Sequence, residues 1–166
     1  MTRVVLSIGS NLGDRLARLQ SVVVGLHDAL VAVSPVYETD PWGGVEQEPF
    51  LNAVVIADDD GRDAHAWLRL AHTFEQAAER TRSERWGPRT LDVDLIALSD
   101  AHGEVSLDDD DLTLPHPRAA LRAFVLVPWL DVDPAAELGK PVRQLLAELD
   151  PAERAGVRPT ALTLGT

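Results

Sequence analysis

The stretch Arg89-Thr90-Leu91-Asp92-Val93-Asp94-Leu95-Ile96 concentrates groups that could do chemistry. Side chains of a strand alternate between faces, so Leu91, Val93 and Leu95 would share one face and Asp92 and Asp94 the other. Two carboxylates about 6 Å apart repel by roughly 3 kcal/mol at an effective dielectric of about 20. A chain relieves that repulsion by fanning the pair into water or by placing a cation between them. All-oxygen donors select a hard ion, which makes Mg²⁺ the candidate rather than zinc. An Asp-x-Asp pair is also what the polar face of a half-exposed strand looks like.

The preceding residues add a second half to the site. Arg80, Arg82, Arg85 and Arg89 fall within ten residues whose one acid is Glu84, in a chain of formal net charge −12. The guanidinium fork matches phosphate oxygens. Arginines running into a carboxylate pair supply both parts of a polyphosphate–metal site. Phosphoryl-type transfer asks for little more than positioning and charge neutralisation. The alternative is that these arginines pair with the plentiful surface acids. Trp86, beside Gly87-Pro88, either stacks on a planar ligand or anchors its loop to the core. Asn52 reads a heterocycle edge or caps a loop. His116, in Pro115-His116-Pro117 and followed by Arg122 and Phe124, could add donors to a phosphate site or be idle. Gly9-Ser10-Asn11-Leu12-Gly13 precedes a helix, as anion-binding turns do, but matches neither the Walker nor the dinucleotide glycine pattern and reads as a structural turn. No Ser-His-Asp spacing stands out and there is no cysteine, so covalent nucleophilic catalysis is not suggested.

The elements that must hold these residues follow from periodicity. Val4-Val5-Leu6 reads as a buried strand, and a helix follows from about Asp14 with Leu16, Leu19, Val22, Val23, Leu26 and Leu30 on one stripe. Residues 31–39 are β-rich around Pro35, which suggests an edge or bulge. Residues 40–49 read as loop, and residues 50–57 as a strand closed by Asp58-Asp59-Asp60-Gly61. A second helix spans about residues 63–79 and cannot continue through Gly87-Pro88. Residues 90–98 read as a strand, Asp108–Asp111 as a solvated acidic turn, residues 124–127 as a short strand and residues 142–149 as a short helix. The tail after Asp150 is weakly patterned. The order strand, helix, strand, strand, helix, strand predicts an α+β fold, a ferredoxin-like βαββαβ core with helices packed on an antiparallel sheet and extra C-terminal elements.

The 166 residues suit one catalytic domain, residues 1–166, able to bury a core without staples. The start of the chain lacks the apolar run of a signal peptide and no stretch approaches a membrane span, so a cytoplasmic location without a membrane partner is expected. The acidic surface disfavours nucleic acid and anionic membranes, and small-molecule substrates that are anionic need a local basic patch, which the arginines of residues 80–89 supply.

At this level of detail the chain resembles hydroxymethyl-dihydropterin pyrophosphokinase, a folate-pathway family. Arg85-Trp86-Gly87-Pro88-Arg89-Thr90-Leu91-Asp92-Val93-Asp94-Leu95 is similar to its signature. Ser7–Arg15, Ser34–Thr39, Phe50–Val54, Leu112–Arg118 and Arg122–Leu126 follow in the family's order. The resemblance implies transfer of pyrophosphate from ATP, the co-substrate, to the hydroxymethyl group of 6-hydroxymethyl-7,8-dihydropterin with release of AMP. It implies two Mg²⁺ ions and a ferredoxin-like fold, and a monomer is expected. By position, Asp92 and Asp94 would be the metal ligands, and Arg80, Arg82 and Arg89 would belong to a mobile catalytic loop over the nucleotide. Glu75, Thr113, His116 and Arg122 fall at the family's nucleotide contacts. Phe50 and Phe124 would sandwich the pterin, Asn52 would bond its edge, and Thr39, Trp42, Trp86 and Asp92 would border it. The departures are His72, Glu79, Asp111 and Pro117, which bear on nucleotide affinity and loop geometry. Two competing readings of the same residues are a metal-dependent phosphohydrolase and a non-catalytic ferredoxin-like binding module.

Overall fold

The computed structural model describes residues 1–41, 48–79 and 90–166. Strand β1 (Thr2–Ser10) leads to helix α1 (Arg15–Leu26), strands β2 (Leu30–Val33), β3 (Tyr37–Thr39) and β4 (Phe50–Asp59), helix α2 (Ala64–Glu79) and strand β5 (Asp92–Asp100). Short strands β6 (Gly103–Glu104), β7 (Leu107–Asp108) and β8 (Thr113–Leu114) then precede helix α3 (Ala123–Val132). Strands β9 (Glu137–Leu138) and β10 (Lys140–Pro141), helices α4 (Val142–Glu148) and α5 (Pro151–Ala155), and strand β11 (Val157–Pro159) complete the chain.

The main sheet runs β11-β3-β4-β1-β5-β6, with β2 also on β4, and every pairing is antiparallel. This is the expected α+β, ferredoxin-like arrangement. Alternation gives the central strands β1 and β4 two buried faces. Val4, Leu6 and Ile8 pack with Leu19, Val22, Trp67 and Ala71 under α1 and α2, whereas Val5, Val54 and Ile56 pack with Val125, Leu126 and Trp129 under α3. The Asp14 side chain caps α1 by accepting the Ala17 N–H at 3.1 Å. Gly25 lets the two helices on that face approach, because a Cβ there would lie 2.4 Å from the Phe74 ring.

Several expectations need correction. Gly9 and Ser10 are the last residues of β1, and the turn begins at Asn11. Leu30 starts β2 instead of ending the α1 stripe, and the 31–39 segment divides into β2 and β3 around Ser34-Pro35-Val36. Residues 124–127 are helix, not strand. The run is apolar all round, so periodicity could not separate the two. As α3 it buries Val125, Leu126 and Trp129 against the sheet, and Pro128 forgoes one internal hydrogen bond. The tail after Asp150 is structured too, as α5 and β11.

Candidate functional site

Strand register brings the site residues into rows on the α3 face of the sheet. Tyr37 lies opposite Asn52, Asn52 opposite Gly9, and Gly9 opposite Asp92. In the next row Val54, Ser7 and Asp94 are opposite one another. Residues opposed across antiparallel strands share a face. Leu91, Val93 and Leu95 are buried on the other face, as alternation required, while Asp92 and Asp94 are half-buried on this one.

A β-bulge follows the pair. The β1–β5 register shifts between Val5 and Leu6, leaving Ile96 as the extra residue, and Ile96 and Ala97 both turn to the α3 side. The Ile96 carbonyl accepts the His116 N–H at 2.8 Å. The bulge therefore ties the β8–α3 connection to the strand that carries the aspartates, a common use of bulges beside active sites.

Two clefts meet at the aspartates. The first, about 190 Å³, is lined by Thr39, Phe50, Asn52, Asp92, Asp94, Arg122 and Phe124, with Ser7, Gly9 and Asp40. Asn52 is its best-fixed polar group. Its side-chain oxygen accepts the Thr39 hydroxyl at 2.5 Å and its amide donates to the Ile8 carbonyl at 3.3 Å. Those bonds leave one N–H and one lone pair of the amide for a ligand. Gly9 makes this possible, since a Cβ there would sit 2.4 Å from the Asn52 amide nitrogen. The Arg122 guanidinium lies 5.5 Å from the centre of the Phe124 ring, a cation–π distance. Burial lowers the Arg122 pKa, with Asp94 and Asp92 opposing that shift.

The second cleft, about 440 Å³, is lined by Glu75, Thr113 and His116 together with Asp92 and Asp94. Three departures from the family pattern, His72, Asp111 and Pro117, lie here as well. Glu75 Oε2 accepts the Val93 N–H at 2.9 Å, so α2 grips β5 between the two aspartates. His116 Nδ1 accepts the Arg118 N–H at 3.1 Å, which leaves Nε2 to carry the ring proton. Burial foremost, then the Arg122 and Arg118 charges, lower the His116 pKa against the pull of Asp94. Both the lowered pKa and the bond accepted by Nδ1 favour the neutral ring, with Nε2–H as its donor.

The structure thus assembles Thr39, Phe50, Asn52, Asp92, Asp94 and Phe124 in one cleft and Glu75, Thr113 and His116 in the other. Arg122, expected among the nucleotide contacts, lines the first cleft. Trp42, Arg80, Arg82, Arg85, Trp86 and Arg89 lie outside the described residues. Ser7, Gly9 and Asp40 were not singled out as lining residues. The signal for Gly9 was its place one strand residue before a turn, where a missing side chain opens room.

The donor set can be tested for magnesium. Among the described residues no group of three or more His, Asp or Glu side chains forms a closed metal cage. The two aspartates offer hard oxygens, half-exposed, at the junction of two clefts. That suits an ion that takes one or two carboxylates and completes its shell with water and phosphate.

Residues 5–134 match the family described as 7,8-dihydro-6-hydroxymethylpterin-pyrophosphokinase. The chain is similar to the protein of Mycobacterium tuberculosis named 2-amino-4-hydroxy-6-hydroxymethyldihydropteridine pyrophosphokinase. The two are 62% identical over 168 residues, covering 95% of this chain and 89% of that one. A protein of the same name from Methylorubrum extorquens is 41% identical over 157 residues, covering 92% of this chain and 96% of its own. A crystal structure of Plasmodium falciparum HPPK-DHPS A437G with STZ-DHP aligns with a TM-score of 0.65 at 13% identity. It covers 89% of this chain but 45% of that longer one, a likeness of fold. The chain therefore belongs to the 7,8-dihydro-6-hydroxymethylpterin-pyrophosphokinase family.

Proposed function

We propose that the first cleft holds the dihydropterin, the second the ATP, and that Asp92 and Asp94 hold magnesium where the two substrates meet. The reaction is the family's: an ATP-dependent pyrophosphokinase step of folate biosynthesis. The observation that carries the residue assignment is the sharing of the aspartate pair between an aromatic, amide-lined cleft and a cleft with a neutral histidine donor and a threonine.

The chain's own residues then have distinct tasks. Phe50 and Phe124 flank the planar ring and Asn52 bonds its edge, with Thr39 and Ile8 holding the amide in one orientation. The pterin hydroxymethyl oxygen attacks the β-phosphorus of ATP in line, and AMP leaves. Thr113 and the His116 Nε2–H donate to phosphate oxygens. Arg80, Arg82 and Arg89 neutralise the triphosphate, and Trp42 and Trp86 border the pterin as the family resemblance implies. Glu75 is a nucleotide-side group that also fixes β5 through Val93. Asp92 and Asp94 would hold two Mg²⁺ ions, which when bound supply charge neutralisation of the phosphates and a lowered hydroxyl pKa. Positioning and charge do most of the work in such transfers. No described helix is long and apolar enough to cross a membrane. The working form we expect is a cytoplasmic monomer without nucleic acid.

The experiment is AMP formation from ATP with and without hydroxymethyl-dihydropterin. Pterin-dependent AMP supports the transferase, and its abolition in Asp94→Ala supports the metal assignment. Pterin-independent phosphate release would instead favour a phosphohydrolase, and wild-type turnover by Asp94→Ala would sink the metal assignment.

A further inference from the structure

The segment Pro151–Pro159 lies beyond residue 134, where the family match ends, yet it touches both walls of the first cleft. One wall is the start of α3. The first N–H groups of a helix have no partner within it, and the residue before α3, Arg122, makes no capping bond through its side chain. Glu153 supplies that bond from α5: its Oε1 accepts the Ala123 N–H at 3.1 Å. Ala123 stands between Arg122 and Phe124, two residues of the cleft. The other wall is the end of β3. Three residues after Glu153, the Gly156 carbonyl accepts the Asp40 N–H at 2.9 Å, and Val157 pairs opposite Thr39. Arg158 reaches Asp40 at 3.0 Å and Glu38 at 3.6 Å, one residue on either side of Thr39. Thr39 is the hydroxyl that orients Asn52. The exposed Arg158 pairs are weak on their own; the backbone bonds and Glu153 carry the connection.

We infer that Glu153 is a positioning residue for the pterin pocket, setting Phe124 and Arg122 against the Thr39–Asn52 wall that the same segment braces through β11. The inference rests on the reading of the first cleft as the pterin site. Glu153 is not among the residues that line the cleft. It acts through the Ala123 N–H.

The test is steady-state kinetics of the full chain with pterin varied at saturating ATP, with thermal unfolding measured alongside. Loss of one such hydrogen bond in Glu153→Ala should raise the pterin KM by about fivefold to tenfold, with kcat within about twofold. A merely structural role would lower the active fraction, and so kcat, with KM unmoved. Glu153→Gln keeps an acceptor oxygen and should restore the wild-type KM. Ala123→Pro removes the donor itself at the first helical position, where proline is tolerated, and should reproduce the KM rise even if Glu153→Ala fails to fold. Phe124→Ala separates the two readings. If Phe124→Ala raises the pterin KM while Glu153→Ala or Ala123→Pro leaves it at the wild-type value, the positioning role is overturned and the pocket stands. If Phe124→Ala leaves the pterin KM unchanged, the pocket reading falls and takes the inference with it.

Discussion

Two acidic stretches sit at opposite ends of the same sheet and meet opposite fates. At one end Asp58 faces Arg3 across the β1–β4 ladder, and the guanidinium grips both carboxylate oxygens at 2.7 and 2.9 Å. Next to it Asp59 takes the Gly61 N–H at 2.7 Å and Arg62 at 2.5 Å. At the other end Asp92 faces Gly9 and Asp94 faces Ser7 on the same strand β1. The acids are chemically identical. What differs for Asp58 is the residue across the ladder; Asp59, opposite Thr2, is instead taken by an arginine three residues on. An arginine across the ladder consumes the carboxylate in a surface pair, whereas a glycine or serine leaves space beside it and a cleft forms. Acidic composition alone therefore marks no site; the register and the nearby turn together decide what stands beside each acid.

The largest losses are expected at Asp92 and Asp94. Asp92→Asn or Asp94→Asn should reduce pterin-dependent AMP formation by at least about a thousandfold, because the charge proposed to hold the cation is removed. Asn52→Ala comes next. It leaves the buried Thr39 hydroxyl without its acceptor, so it should cost about 1–3 kcal/mol in denaturant unfolding and raise the pterin KM by at least about tenfold. Glu75→Ala uncaps the Val93 N–H between the aspartates and should lower kcat by about tenfold in the same assay, an effect of about 1.4 kcal/mol.

The smallest effect belongs to the other end of the sheet. Asp58→Asn should change stability by less than about 1 kcal/mol and leave activity unchanged. The hydrogen bond from Arg3 holds the Asp58 carboxyl below its ordinary 3.8. Its contribution is thus present above about pH 4 and is lost as the pH falls through the lowered value. The stability gap between wild type and Asp58→Asn, followed by urea unfolding, should therefore be constant above about pH 4 and close below it. A gap that widens in acid would contradict the pairing.

Much of this was legible before any coordinates. The βαββαβ order, the split of Leu91, Val93 and Leu95 from Asp92 and Asp94, and the start of α1 near Asp14 follow from alternation and the helical stripe. Phe124 was recognised as a site residue but on the wrong element, because a uniformly apolar run has no period to read. The role of Gly9 was hidden because a glycine before a turn looks the same whether it bends the chain or clears space for a side chain on the next strand. The bulge at Ile96 and the Glu153 bond to Ala123 depend on contacts between distant segments, which local patterning does not encode. Trp42, Trp86 and the arginines of residues 80–89 remain assigned by resemblance.

The central claim is that the aspartate pair, and not acidity in general, holds the cation that joins the two substrates. The direct measurement is the affinity of a non-hydrolysable ATP analogue with and without magnesium, by calorimetry, for wild type, Asp94→Asn and Asp58→Asn. Magnesium should strengthen binding to wild type and to Asp58→Asn equally, and that gain should vanish in Asp94→Asn. An undiminished magnesium gain in Asp94→Asn would contradict the account.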